Sequence, residues 1–281
     1  MSPKDTPTVR QARLGAELRK MRERAGVLAR EAAAALGTNQ AKMSMMEAGR
    51  RGVSEERVRN LASLYSCQDA TLIDALCAIA REHRGQFWWD EYRDTVPPGA
   101  LDMSELEYHA AYTRSVEMLV IPGIFQTEDY TRALFGPSNL FGDFEIRVEH
   151  RMKRRRIFER TDPAPYEAII HEAALRMRYG GRKVAKSQLE YLLAVADWPS
   201  VTLRVIPFSL EEIIGYAQSM VYAGGPVAQL DTVGIDTPFG GLYLDAELQL
   251  QGYRKLIDTI TDSALDASRS KNLIHSIAQE M

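Results

Sequence analysis

The sequence predicts two parts of different class, an all-helical N-terminal domain followed by a mixed α+β domain. Three observations predict this. Short amphipathic helical periods, each opened by a capping residue or stopped by a glycine, run to about residue 84. The composition then breaks at GQFWWDEYRDTVPPGALD, where Pro-Pro-Gly is turn chemistry. Strand-like runs occur only beyond residue 165.

The elements follow in order. Residues 1–8 carry two prolines and read as a loose tail. From Gln11 to Ala25 the residues Leu14, Leu18, Met21 and Ala25 recur at helical spacing, and Gly26 ends the pattern. The run EAAAALG makes a second helix over about Ala29–Leu36, because alanine favours helix and lets neighbouring backbones approach. Gly37 ends it. Thr38 or Asn39 caps a third helix to about Ala48, closed by Gly49. Ser54 opens a fourth, which buries Val58, Leu61, Leu64 and Tyr65. Asp69 caps a fifth, with Leu72, Ile73, Leu76, Ile79 and Ala80 inside. These helices define a domain over 9–84, with 85–100 as linker.

The second domain, 101–281, is expected to open with helices over 104–119 and 126–135 around the turn Ile121-Pro122-Gly123. A long charged helix over Phe141–Arg160 ends at Asp162-Pro163-Ala164-Pro165. Strands are expected at Tyr166–His171, Val201–Pro207, Gln218–Ala223, Val227–Asp236 and Gly241–Leu244. A helical hairpin hinged at Gly180-Gly181 separates the first two strands. Helices over Ala246–Asp262 and Leu265–Glu280 close the chain.

Composition narrows the function classes. The longest apolar run, Met118–Phe125, contains Pro122 and Gly123 and falls far short of the roughly 20 residues that span a bilayer. The first residues hold no apolar signal segment, so the expectation is a cytoplasmic protein with no membrane contact. Cys67 and Cys77 are the only cysteines, which argues against a disulfide framework or a zinc site. The net charge of −3 is uneven: residues 1–70 carry 13 Lys and Arg against 8 Asp and Glu, a net +5, leaving −8 for the rest. A polyanion would meet the basic end.

A glycine in the turn between two short helices is the helix-turn-helix arrangement, whose second helix enters the major groove of double-stranded DNA. Met43 and Met46 would seat the third helix against Ala32, Ala33 and Leu36, leaving Gln40, Ala41, Lys42, Ser44 and Met45 outward. Asn39 and Gln40 carry amides that pair with adenine. Lys42 can reach guanine or a phosphate, and Ala41 or Met45 can touch a thymine methyl. Arg50 and Arg51 would grip the DNA backbone at the helix exit. One such module has a small interface, so a homodimer reading two half-sites is expected.

Other features are less specific. The run RMKRRRIFER, residues 151–160, reads as a solvated helix face, since Glu149 precedes Lys153 at the i,i+4 spacing; a second DNA contact or a dock for an acidic partner are the alternatives. His171-Glu172 is not followed by the second histidine of a zinc-protease motif, and no nucleophile–base or metal constellation stands out, so neither catalysis, metal nor cofactor is expected. Phe87, Trp88, Trp89 and Tyr92 suit a ligand pocket, a partner groove or domain packing equally.

LGAELRKMRERAG, ALGTNQAKMSMMEAGRRGVS and VRNLASLY together resemble the Xre-type, lambda-repressor-like helix-turn-helix regulators of actinobacteria. ELEYHAAYTRSVEMLVIPGIFQTEDYTRALF, IIHEAALRMRYGG and QLEYLLAVADWPSVTLRVIPF resemble the C-terminal domain of unknown function carried by WhiJ-type regulators of that group. The resemblance implies a transcriptional regulator, often encoded beside a small partner protein. The family usually has Thr-Gln at the start of the second helix, where the glutamine anchors a phosphate; here Leu28-Ala29 stand there, followed by Arg30, which is assigned to the DNA backbone. Position 45, commonly arginine, is Met45. The expected function is a sequence-specific DNA-binding regulator whose second domain responds to a small-molecule effector or a small partner protein. The alternative is an antitoxin-like module that holds a small cognate partner and autoregulates.

Overall fold

The structure is a computed structural model that describes residues 6–82, 85–136, 143–211, 218–237 and 240–281. The chain divides into a helical unit, residues up to Glu91 with Pro226–Leu230, and a second unit of Tyr92–Gly225 with Asp231–Met281.

The helical unit contains α1 (Val9–Arg24), α2 (Ala29–Ala35), α3 (Gln40–Glu47), α4 (Glu55–Leu64) and α5 (Ala70–Arg81). Thr8, Asn39, Ser54 and Asp69 each cap the following helix by accepting a backbone N–H. The exits repeat one device. At the end of α2, Gly37 adopts φ +62°, Gly37 N–H donates to Ala34 O and Thr38 N–H to Ala33 O, the paired bonds that reverse the chain after a helix. Leu18, Met43, Met46, Val58, Leu61 and Leu76 fill the core, joined by Val227 and Leu230. Leu64, expected inside, is 40% exposed. It lies on the last turn of α4, and Leu61 and Tyr65 hold the inward positions there.

The second unit is built on a sheet of order β3-β2-β1-β4-β5-β6, with β1 (Tyr112–Glu117), β2 (Tyr166–His171), β3 (Val201–Ile206), β4 (Met220–Gly224), β5 (Thr232–Thr237) and β6 (Gly240–Leu244). β1, β2 and β3 are parallel, and β4, β5 and β6 continue antiparallel. The helices are α6 (Pro98–His109), α7 (Glu128–Phe135), α8 (Phe144–Lys153), α9 (Glu172–Arg176), α10 (Arg182–Val195), α11 (Glu247–Ser263) and α12 (Ala267–Glu280).

The register sorts the side chains by face. Val116, Ile169, Ile206, Met220, Tyr222 and Val233 share one face and pack with Leu250, Ile257 and Ile260 of α11. Tyr166, Ala168, Ile170, Leu203 and Val205 share the other, under Leu189 and Leu192 of α10 and Ile274 and Ile277 of α12.

Three expected elements change. Residues 104–119 are not one helix: α6 starts at Pro98, a proline tolerated in the first turn, and the chain then forms the central strand β1. Arg114 hid the strand pattern, because it is satisfied within the fold by Glu167 at 2.8 Å, Asp258 at 2.6 Å and Thr261 at 2.7 Å. The long charged helix is shorter, with Asp143 capping α8 and a 3-10 turn over Arg154–Glu159; residues 141 and 142 lie outside the described residues. The expected strand from Val227 starts at Thr232, since Ala228–Leu230 form a 3-10 turn.

Candidate nucleic-acid interface

Helix α3 is short, and its orientation depends on how its C-terminal end is held. Gly15 of α1 faces that end so closely that a Cβ would lie 2.6 Å from Met46 O and Glu47 O and 2.7 Å from Gly49 N. A Cβ on Gly49 would lie 2.7 Å from Ala12 Cα. The two backbones therefore touch, which only glycine permits. Arg22 of α1 adds a bidentate pair to Glu47, Nε to Oε1 at 2.5 Å and Nη2 to Oε2 at 3.0 Å, and donates to Val27 O at 3.0 Å. The hydrogen bond to Glu47 raises the pKa of Arg22. Burial pushes the nearby Tyr65 hydroxyl up to about 12.

With one end fixed, helical periodicity decides what faces out. Met43 and Met46 are buried and point one way. At about 3.6 residues per turn, Ala41, Ser44 and Met45 point opposite, with Gln40 and Lys42 on the two flanks. All five are exposed, Met45 by 45%. Asn39 is exposed as well, but its Oδ1 accepts from Lys42 N at 2.9 Å as the helix cap, so only its Nδ2 can reach outward. Arg30, Arg50 and Arg51 are also exposed.

The cations of this unit fall into two sets. Arg10, Arg13, Arg19, Lys20, Arg22, Arg59 and Arg81 are paired with carboxylates. Among the described residues Arg30, Lys42, Arg50 and Arg51 make no ion pair, and neither do Arg24 and Arg57, which the sequence reading did not single out. A cleft of about 460 Å³ lies beside the α3 exit, lined by Gln11, Met46, Arg50, Arg51, Gly52 and Glu82 among others. The outward face of α3 is thus neutral, with unpaired cations on the elements that flank it.

Residues 13–76 match a family described as a helix-turn-helix domain, and residues 101–276 match one described as a domain of unknown function, DUF5753. The chain belongs to the DUF5753 family. It combines that domain with an N-terminal helix-turn-helix, the arrangement of a DNA-binding regulator. Comparison with curated proteins and with solved structures gives no match.

The remaining sequence candidates find partners within their own units. His171 Nδ1 accepts from Ala173 N at 3.2 Å and caps α9. Glu172 binds Arg176 at 2.7 Å and Phe208 N at 2.8 Å. Phe87 stacks on Trp89 at 4.7 Å, Trp88 meets Trp89 edge-on, and Tyr92 donates to Glu149 at 2.8 Å. The basic run 151–160 is not a solvated face. Arg154 is buried against Glu107, Arg155 reaches Tyr191 at 3.1 Å, and Ile157 is in the core. Among the described residues no group of three His, Cys, Asp or Glu is placed to hold a metal ion, and no helix is long and apolar enough to cross a membrane.

Proposed function

We propose that this protein is a cytoplasmic, homodimeric transcriptional regulator of the Xre type, akin to the WhiJ group, which binds an operator in double-stranded DNA. Residues 9–84 dock the DNA, 85–100 connect, and 101–281 respond to a small-molecule effector or small partner protein. One observation carries the DNA reading: α3 presents a neutral face flanked by unpaired cations, while seven other cations of the unit are neutralised by carboxylates. In this reading Gln40, Ala41, Ser44 and Met45 meet base edges, with Asn39 contributing its Nδ2. Lys42 meets guanine or a phosphate, and Arg30, Arg50 and Arg51 hold phosphates. A ligand that favours one arrangement of the dimer's two DNA-binding units would shift operator occupancy.

The experiment is operator selection on random duplexes, followed by fluorescence anisotropy across a salt series. Replacing Arg50 and Arg51 by Gln should flatten the slope of log affinity against log salt by about 0.9 per lost phosphate contact, with base preference unchanged. Replacing Gln40 by Ala should relax preference at one position. Unchanged slope and preference in both variants would overturn the assignment of α3 as the reader. Sedimentation of the free and DNA-bound protein tests the dimer.

A further inference from the structure

The second unit holds a cluster of charged side chains that its scaffold does not explain. The α11 face of the sheet carries apolar residues together with Arg114, Glu167 and Arg204, whose charges pair with one another and with Asp258, and β2 and β3 are apolar on the opposite face. On that opposite face β1 carries Thr113, Ser115 and Glu117 and β5 carries Thr232 and Asp236, while β4 carries Val221 and Ala223 and is preceded by Ser219. The register pairs Val116 with Met220 and Val221 with Gly234; continued one position beyond the first pair and two beyond the second, it aligns Glu117, Ser219 and Asp236. Side chains in such a row stand on one face about 5 Å apart. The Ser219 hydroxyl donates to the Glu117 carboxylate, and Asp236 is near enough to act on Glu117 through space.

Above this row sit two arginines. A Cβ on Gly123 would overlap Arg151 Nη1 and lie 2.9 Å from Arg154 Nη1, so the absent side chain makes room for both guanidinium groups. Arg154 is neutralised by Glu107 through Nη2–Oε1 at 2.6 Å and Nε–Oε2 at 2.8 Å. Arg151 is not. Among the described residues no carboxylate lies within 4 Å of it and no hydrogen bond reaches its guanidinium, and its one close partner is the Phe135 ring at 5.1 Å. Enclosure by protein and the adjacent Arg154 depress its pKa to about 10, and Asp236, Glu107 and Glu117 act on it only through space. Arg151 and Glu117 nevertheless each keep some solvent access.

The geometry points to a binding site for a small zwitterion, an α-amino acid or close analogue, its carboxylate forked onto Arg151 and its ammonium held between Glu117 and Asp236. A planar guanidinium without a partner matches a carboxylate in bidentate fashion. The facing carboxylates disfavour a simple anion and match an ammonium group. Once seated, such a ligand supplies counter-charges to both walls, which the free protein leaves unpaired. This site deepens the ligand-response reading of the second unit and rests on it only for any effect on DNA.

The test is titration calorimetry of the full-length protein, without DNA, against the proteinogenic amino acids, their decarboxylated amines and their deaminated acids. The site requires that one amino acid or a related subset binds saturably, with the matching amine and acid at least about tenfold weaker, the loss expected for one charge-assisted interaction. Arg151→Lys keeps the charge and loses the fork, and Glu117→Gln keeps the shape and loses the counter-charge. Each should weaken binding by a similar factor while near-UV dichroism stays native. Should either variant misfold, the wild-type panel alone decides. No binding by any amino acid up to millimolar concentration, or equal binding by the deaminated acids, would overturn the proposal. Saturable binding that leaves operator affinity unchanged would uphold the site and sink the regulatory reading.

Discussion

Glu117 and His150 should give the second unit opposite dependences on pH that nearly cancel, and removing one should expose the other. Burial raises the Glu117 carboxyl from 4.5 to about 7, with Asp236 adding to the rise while Ser219, Arg151 and Arg154 oppose it. Burial lowers His150 from 6.5 to about 3, and the cations of Arg154, Arg151 and Lys153 add to this. His150 is packed against Tyr92 at 5.2 Å, with Nε2 3.1 Å from Ser104 Oγ. For Glu117 the folded state holds its proton more tightly, so its contribution is complete below about pH 4.5 and lost as pH rises through about 7. For His150 the unfolded state holds the proton more tightly, so the contribution is complete above 6.5 and lost as pH falls through about 3. At about 1.4 kcal/mol per pKa unit, Glu117 carries at most roughly 3 kcal/mol, since solvent reaches part of the side chain, and His150 at most roughly 5 kcal/mol. Near pH 5.5 their slopes are about −1.2 and +1.2 kcal/mol per pH unit, and the sum is close to flat. In Glu117→Gln the positive slope should emerge between pH 4.5 and 6.5, and in His150→Gln the negative one. Hydrogen exchange at β1 and β2 amides reports opening of this unit, and comparing variants at equal pH removes the intrinsic exchange rate. If Glu117→Gln differs from the wild type by the same amount at every pH from 4.5 to 7, Glu117 does not titrate in that window and the argument fails.

Two further outcomes concern the helical unit. Gly15→Ala in a free helix would be favourable by about 1 kcal/mol, but here the new methyl meets Met46 O and Glu47 O at 2.6 Å, and these are backbone atoms at the end of α3. It should therefore destabilise this unit by about 1–3 kcal/mol in urea titration; a gain in stability would show that the two backbones do not touch. Leu28 occupies the cap position of α2 in extended conformation without a side-chain cap, and only Glu31 completes its half of the capping box, Leu28 N to Oε2 at 2.9 Å. Leu28→Ser should add the missing acceptor and raise stability by about 1 kcal/mol, read as a higher unfolding midpoint. An unchanged or lower midpoint would mean that Leu28, though 48% exposed, contributes more by packing than a cap does.

The helical unit was legible because its signals are local. Caps at Asn39, Ser54 and Asp69, glycine exits and apolar spacing each act within a few residues, and the structure repeats them almost residue for residue. What was not legible there is the contact that orients α3. Gly15 stands mid-helix in LGAEL, which signals a close approach but not to what, and Arg22–Glu47 joins residues 25 apart. In the second unit, β1 escaped because its polar residues find partners within the fold, so neither clean alternation nor a continuous apolar run marks it. The basic run at 151–160 misled for the same reason. A helix wheel cannot reveal that Glu107 and Gly123, distant in sequence, make room for Arg154 and Arg151.

The cost of that polar row supports reading it as a site and not as scaffold. On its α11 face the same sheet pairs the charges it carries, Arg114 and Arg204 with Glu167 and Arg114 also with Asp258, and sets apolar Val116, Met220, Tyr222 and Val233 beside them across β1, β4 and β5. One residue further along β1, and back along β4, the chain places Glu117 and Ser219 on the opposite face, in a row with Asp236, and Arg151 above. Replacing buried ion pairs with apolar groups is often neutral or stabilising, so stability alone gives no reason to keep an arginine without a contact partner over this row. Charges held in an enclosed place without mutual contact are what a binding site requires, because a ligand gains most from groups whose own protein has not already satisfied them. The contrast with Arg154 and Glu107 makes the point within one cluster: that pair is closed and needs nothing more, whereas Arg151 and Glu117 each still lack, among the described residues, a partner of opposite charge in contact.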